Sequence, residues 1–484
     1  MSDNAHDMIG GNTGLVSHFK AQNNSIQSFG CICHKINLIL VNLFKRIENK
    51  IDEDSNFIPY ELGESWDVRE FVTSIAGYFN YSCKRQEDYI NFSQNHIKEM
   101  KMNDPVLYYH IKEGQAFPKI QNYCEVRWLS LGNSLRIIQG QWLCLNMFFQ
   151  HQLSKKKELK LTKDQILFLE SLTSQFDNDE FKYIYSLFDW VCSSLNKMNE
   201  LFQSETSQIH LIFSKSRQIF EKFAKLLMSE DQYFKINNSD FRFILDSTKW
   251  KIYENEIFLT NLRKEVDFEI PKSGFEIDFN VISNECIEFS KKLCVQLLVL
   301  IGQYLPINDG AFMAFQLLDP HNRNIQNNKY LFREYLAKKF VKCYEFSDYE
   351  SLLNQFENFA LLDDKNLPLE IENYRTSNSA SRHNVEQFWI DVFRIVDDKN
   401  PFKLLSQFFL QLLTIPHSNS YIEQQFSQVN LIKTEKRNLL DVTTVSSILK
   451  VKSYYSEINE EGSDFEPQEK DYYLYNLSIN SRNI

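Results

Sequence analysis

The chain is poor in the residues that make tight turns, with 13 glycines and ten prolines in 484 residues. Sandwiches and barrels need turn signals every few residues, so an all-β fold is excluded. It also lacks a C-x-x-C pair. Its nine cysteines, at positions 31, 33, 83, 124, 144, 192, 286, 294 and 343, are odd in number and irregular in spacing, which reads as reduced thiols and not as a disulfide framework. A surplus of positive charge is missing too. The formal net charge is −11 and the pI about 5.5, so the surface as a whole does not suit nucleic acid, and any such contact must come from local basic patches. The longest apolar runs, around Leu293–Gly302 and Phe408–Ile415, fall well short of the roughly 20 residues of a membrane span. Residues 1–14 carry no apolar stretch of the secretory kind. No membrane partner is expected.

What remains is a chain that is 43% hydrophobic, with apolar residues recurring every three or four positions, the mark of amphipathic helices. Ile36, Ile39, Leu40, Leu43, Phe44 and Ile47 define one such helix. Others run through Phe71, Ile75 and Phe79, through Leu135, Ile138 and Trp142, and through Phe181, Ile184, Leu187, Phe188 and Val191. Leu293, Val295, Leu297, Leu298 and Ile301 define a further one. Periodicity breaks at Phe268–Phe279, where Pro271, Ser273 and Gly274 interrupt it, and again in the polar stretch 363–384. No repeat of 20 to 50 residues points to a solenoid. From Ser456 to Asp471 seven acids stand against Lys470, and disorder is expected there. Ser154–Lys160 is the densest basic run. It reads as a solvated loop, with a phosphate contact as the alternative.

The most informative stretch is Ile415–Leu440. Pro416 stops the apolar helix of Leu404, Leu405, Phe408, Phe409, Leu412 and Leu413, because it lacks an N–H and crowds the preceding turn. Ser418, Asn419 and Ser420 can cap a new helix, whose apolar face is Ile422, Phe426, Val429 and Ile432. Glu423 falls in its first turn, where Ser420-x-x-Glu423 reads locally as a capping box. Near the start, Ser2-Asp3-Asn4-Ala5-His6-Asp7-Met8 precedes Cys31-Ile32-Cys33-His34-Lys35-Ile36-Asn37-Leu38. Cys31 and His34 form a single close pair, whereas zinc sites take four ligands, so no zinc is expected. Glu125-Val126-Arg127-Trp128-Leu129-Ser130-Leu131-Gly132 opens a helix with a tryptophan that is either core or a stacking platform.

Taken in order, Asp3, Cys31, His34, Arg127, Trp128, and then Pro416, Ser418, Ser420, Glu423, Phe426, Ser427, Arg437 and Leu439 resemble the signature blocks of hAT-superfamily DNA transposases. One departure is Gln424, where the family usually carries arginine. The resemblance implies a chain that is mainly α with a small α/β part, an incomplete RNase H-like catalytic core interrupted by a large all-helical insertion domain. Residues 1–35 would be a remnant of that core, 36–384 the insertion domain with its polar linker, 385–455 the C-terminal RNase H-like and dimerisation region, and 456–484 the acidic tail.

The same resemblance makes Asp3 and Glu423 the second and third members of a carboxylate triad that binds Mg2+ or Mn2+ for phosphoryl transfer, where paired metal ions activate the attacking oxygen and hold the leaving one. It makes Arg127, Trp128 and His34 candidate DNA contacts, with Trp128 a base-stacking platform, and Cys31 with His34 a brace of the active-site wall. The triad's first aspartate and a BED-type zinc finger would lie upstream of Asp3. The sequence as it stands therefore implies an N-terminally truncated protein, inactive alone, that is nuclear or cytoplasmic. It would pair with itself through 401–455 and could contact DNA. Two alternatives stay open: a fragment of an active metal-dependent transposase, and a helical scaffold that meets no DNA.

Overall fold

The computed structural model describes residues 15–22, 28–47, 67–103, 129–204, 206–237, 250–266, 277–340, 348–374, 384–395, 400–433 and 441–457. They are mostly helical, and no β-strand occurs among the described residues. The mainly α expectation holds. Asp3, Arg127, Trp128 and the acidic tail lie outside the described residues. The chain divides into two compact units, residues 1–418 and 419–484, so the division falls inside the block 385–455 marked off in the sequence.

The first unit runs through α1 (Leu15–Gln22), α2 (Ile32–Ile47), α3 (Val68–Asn80), α4 (Cys83–Asn103), α5 (Leu129–Gln139), α6 (Trp142–Ser154), α7 (Lys163–Phe176) and α8 (Asp179–Phe202). It continues as α9 (Ile212–Leu227), α10 (Glu230–Asn237), α11 (Asn255–Glu265), α12 (Asn284–Tyr304), α13 (Gly310–Phe315), α14 (Tyr349–Ala360), α15 (Val385–Arg394) and α16 (Lys403–Leu413). Short 3-10 and π turns join several of them.

The spine is α8, 24 residues long and so about 36 Å from end to end. Asn178 starts it by accepting the Phe181 N–H at 3.0 Å, and Asp179 and Glu180 sit in the first turn, where they complement the helix dipole. Phe181, Ile184, Leu187, Phe188, Val191 and Leu195 are buried at the helical period, while Tyr183 and Tyr185 widen the apolar face beyond a single stripe. That width lets α8 pack against α2, α3, α5, α7 and α12. The crossing with α5 is close because of Gly132: a Cβ there would lie 2.8 Å from Asn196 Nδ2 and 3.0 Å from Cys192 Cβ.

Around one end of α8 the aromatic side chains gather. Phe71 on α3 meets Trp142, Phe176 and Phe181 with ring centroids 5.6, 5.0 and 4.9 Å apart. The polar tips are satisfied, as buried Trp and Tyr require: Trp142 Nε1–H donates to the Phe176 carbonyl at 3.2 Å and the Tyr185 hydroxyl to the Leu135 carbonyl at 2.7 Å. A second aromatic group ties α14, α15 and α16, with Trp389 between Phe359 (5.2 Å) and Phe409 (4.8 Å). The Trp389 indole N–H donates to the Leu318 carbonyl at 2.7 Å. As Pro416 requires, α16 ends at Leu413, two residues before the residue preceding the proline.

The second unit consists, among the described residues, of α17 (Ser420–Ile432) and α18 (Val442–Glu457). The two helices pack on each other, Ile432 and Val445 are buried, and Lys452 Nζ donates to Gln428 Oε1 at 3.3 Å.

Candidate functional site

Three segments far apart in sequence meet at His417: the start of α2, the turn 208–211 before α9, and the loop that leaves α16. The Ile32 N–H, first in α2, donates to the His417 carbonyl at 3.4 Å. The Gln208 N–H donates to His417 Nδ1 at 3.4 Å. That bond places the lone pair on Nδ1 and the proton of the neutral ring on Nε2. Phe202, the last residue of α8, lies against the ring with centroids 6.1 Å apart. So the Cys31–His34 block and the Pro416–His417 block, joined in the sequence reading only by resemblance, are bonded to each other through the backbone.

The electrostatics of this junction favour uncharged imidazoles. His210 is buried at 2% exposure, and neither ring nitrogen meets a hydrogen-bond partner. Burial pushes its pKa down to about 4, with His417 adding to the fall and Asp319 opposing it. Burial also lowers His417, against the raising effect of the Phe202 backbone. Charging either ring would put a cation where water cannot reach it. Nearby, the Cys33 thiol donates to the Asn199 carbonyl at 3.9 Å. Lys35, one turn into α2, is held below the usual lysine range by burial, with Asp309 and then Cys31 opposing. Asp309 itself caps α13 by accepting the Ala311 and Phe312 N–H groups at 2.8 and 3.2 Å.

Of the residues singled out in sequence, Cys31 is buried and His34 half-buried at the N-terminus of α2. Cys31 immediately precedes Ile32, whose N–H reaches the His417 carbonyl. Among the described residues no three His, Cys, Asp or Glu side chains gather as a metal site. Glu423 is exposed in the first turn of α17, and its carboxylate makes no hydrogen bond or ion pair among the described residues. The Ser420-x-x-Glu423 capping box is corrected. The N-cap is Asn419 with no side-chain cap bond, so the third helical position is Ile422 and the box is out of register by one. Ser418, Asn419 and Ser420 are all able to cap, and the middle one holds the N-cap position without a side-chain bond to the helix.

Sequence reasoning missed His210, His417 and Gln208. The one local signal was a histidine set in the apolar run Ile209–Phe213, which marks burial but names no partner. No helix among the described residues is long and apolar enough to cross a membrane. No protein-family profile matches the chain, and no curated protein matches it.

Proposed function

We propose that this is an hAT transposase-derived protein that acts through self-association of its C-terminal block. In this reading the helical stretch 36–384 corresponds to the insertion domain of an RNase H-like core. The observation that carries the reading is the apolar surface of α17 and α18. Ile422, Phe426 and Leu431 on α17 are 54, 64 and 68% exposed, and Val442 and Val451 on α18 are 81 and 55% exposed. Single exposed apolar residues are ordinary on a protein surface. Ile422 and Phe426 stand four residues apart and so share one face of α17, and adjoining exposed apolar side chains are the start of the kind of patch that marks an interaction surface. The sequence period put Ile422, Phe426, Val429 and Ile432 on one face, and only Ile432 is fully buried within the chain, which leaves most of that face for a second copy.

The test is light scattering on the full chain and on Ile422→Lys/Phe426→Lys. Point substitutions leave α16 in place, with Leu405, Phe408 and Phe409 in the first unit's core. Exposed substitutions change fold stability by about 0.5 kcal/mol or less, so the variant reports on association. A dimer that becomes monomeric supports the reading, whereas a wild-type monomer or a variant that stays dimeric ends it. A second reading, a metal-dependent transposase fragment, is favoured by one observation, the free and exposed carboxylate of Glu423. Mn2+ titration of wild type and Glu423→Gln separates the two: equal binding removes Glu423 as a ligand.

A further inference from the structure

The tie between Gln208 and His417 has a polarity that acid reverses. His417 Nδ1 accepts the Gln208 N–H at 3.4 Å, and an imidazole nitrogen accepts only while it carries no proton. Once Nδ1 is protonated, its N–H stands against the Gln208 N–H, donor to donor, among residues that are both buried. The same loop supplies the carbonyl that receives the Ile32 N–H, so a displaced His417 also lets go of α2.

The side chains around this tie are poorly satisfied. Asn199 Oδ1, Ser207 Oγ, Gln208 Oε1 and both ring nitrogens of His210 are buried without a hydrogen-bond partner among the described residues. Buried polar atoms are nearly always paired, and an unpaired one costs free energy that contact with water recovers. All five fall between residues 199 and 210, so opening at this point hydrates what the closed form leaves dry.

The neighbouring charges do little to hold a proton here. The turn that carries His210 packs against α9, α13 and the 3-10 turn Gln316–Leu318. Asp319 favours a charged His210 and His417 opposes it, while Asp319 also accepts the His321 N–H at 3.0 Å. Asp309 at the start of α13 acts on Lys35 of α2, as does Cys31, and Lys215 in the first turn of α9 donates to Gln218. Burial outweighs Asp319 at His210 and the Phe202 backbone at His417, so both rings are held neutral.

We propose that this junction is an acid-released latch: uptake of protons by His417 and His210 frees residues 414–418 from Gln208 and from α2 while the rest of the first unit stays folded. Because α16 ends at Leu413 and the second unit begins at Asn419, the freed loop is the covalent link between the units, and release lengthens it. The latch goes beyond the self-association reading and stands without it, since its residues all belong to the first unit.

The closed form holds His210 down to about 4, whereas a histidine in water titrates near 6.5. The latch is therefore fully favoured above about pH 6.5 and gives way as pH falls toward 4. From pH 8 to pH 5 His210 alone should raise the ratio of open to closed about 30-fold, and His417 adds to it in the same direction.

The experiment is hydrogen–deuterium exchange on the full chain at pH 8, 6.5 and 5, read as protection factors so that the pH dependence of intrinsic exchange cancels. Amides at 32–34 and 208–211 should lose about 30-fold protection or more by pH 5, and at every pH they should exchange faster than those of α8, because they open without it. His417→Asn places an amide oxygen near Nδ1, an acceptor that does not titrate. Combined with His210→Leu it should leave the junction's protection independent of pH, and His210→Leu alone should lessen the fall by about 30-fold. Protection that stays flat in wild type would overturn the proposal, as would variants that open with acid as wild type does. So would junction amides as well protected as those of α8, because they would then exchange only when the whole unit unfolds.

Discussion

Replacing His210 by leucine should remove a defined part of the protein's sensitivity to acid. In the folded state burial brings the His210 pKa down to about 4, while an unfolded histidine titrates near 6.5. The unfolded chain therefore binds more protons than the folded one in this range, and stability falls as pH falls. The contribution is complete above about pH 6.5 and is lost progressively toward pH 4. Between pH 8 and pH 5 the loss from this one residue is about 2 kcal/mol. His417 shifts in the same direction, so wild type should lose more than that in total. His210→Leu keeps the buried volume roughly constant and removes two ring nitrogens that have no partner. At pH 8 it should be neutral or slightly stabilising. Urea unfolding of both proteins at pH 8, 6.5 and 5 gives the answer as a difference of differences, in which the titration of carboxylates common to both cancels. The variant should overtake wild type by about 2 kcal/mol on going to pH 5. A wild-type-minus-variant difference that stays flat from pH 8 to pH 5 would refute the claim that His210 is held neutral.

Other perturbations reach different parts of the fold. Phe71→Ala opens the aromatic group around Trp142, Phe176 and Phe181 and should cost about 3–5 kcal/mol, read by calorimetry. Gly132→Ala should destabilise even though alanine is the better helix former by about 1 kcal/mol, because its Cβ would press on Cys192 Cβ at 3.0 Å. Thermal melts should therefore fall, and a rise would mean that α5 and α8 can separate. Lys160→Gly should raise the melting temperature, in keeping with a gain of up to about 1 kcal/mol where a left-handed backbone, here with φ at 51°, is relaxed.

Helices were legible wherever one apolar face dominates. The period read through Phe181, Leu187 and Val191 and through Leu293, Leu298 and Ile301 locates α8 and α12, and Pro416 correctly ends the helix before it. Boundaries were less legible where several neighbouring residues can do the same job, as at Ser418–Ser420, where the capping register moved by one. The apolar face of α17 was seen, but sequence period cannot tell a face buried by its own chain from one left open, and Ile422 and Phe426 are open. The His417 junction was not legible at all. A hydrogen bond from a backbone amide at 208 to an imidazole at 417 leaves no trace in the spacing of either residue's neighbours. Gly132 lay in view within the Arg127–Gly132 block, although its reason, a close helix crossing, needs the partner helix to be known.

The bond from Ile32 to His417 also sets a schedule. During synthesis at roughly 5–20 residues per second, the start of α2 would wait on the order of tens of seconds before the loop carrying His417 is made. The carbonyl that receives its amide belongs to nearly the last residue of the first unit, so that unit cannot close as it emerges. Its helices can form and pack locally, but the step that joins its two ends comes only when almost all of it has left the ribosome. Until then the N-terminus of α2 and the turn at Gln208 stay open, available to chaperones or to a neighbouring nascent chain.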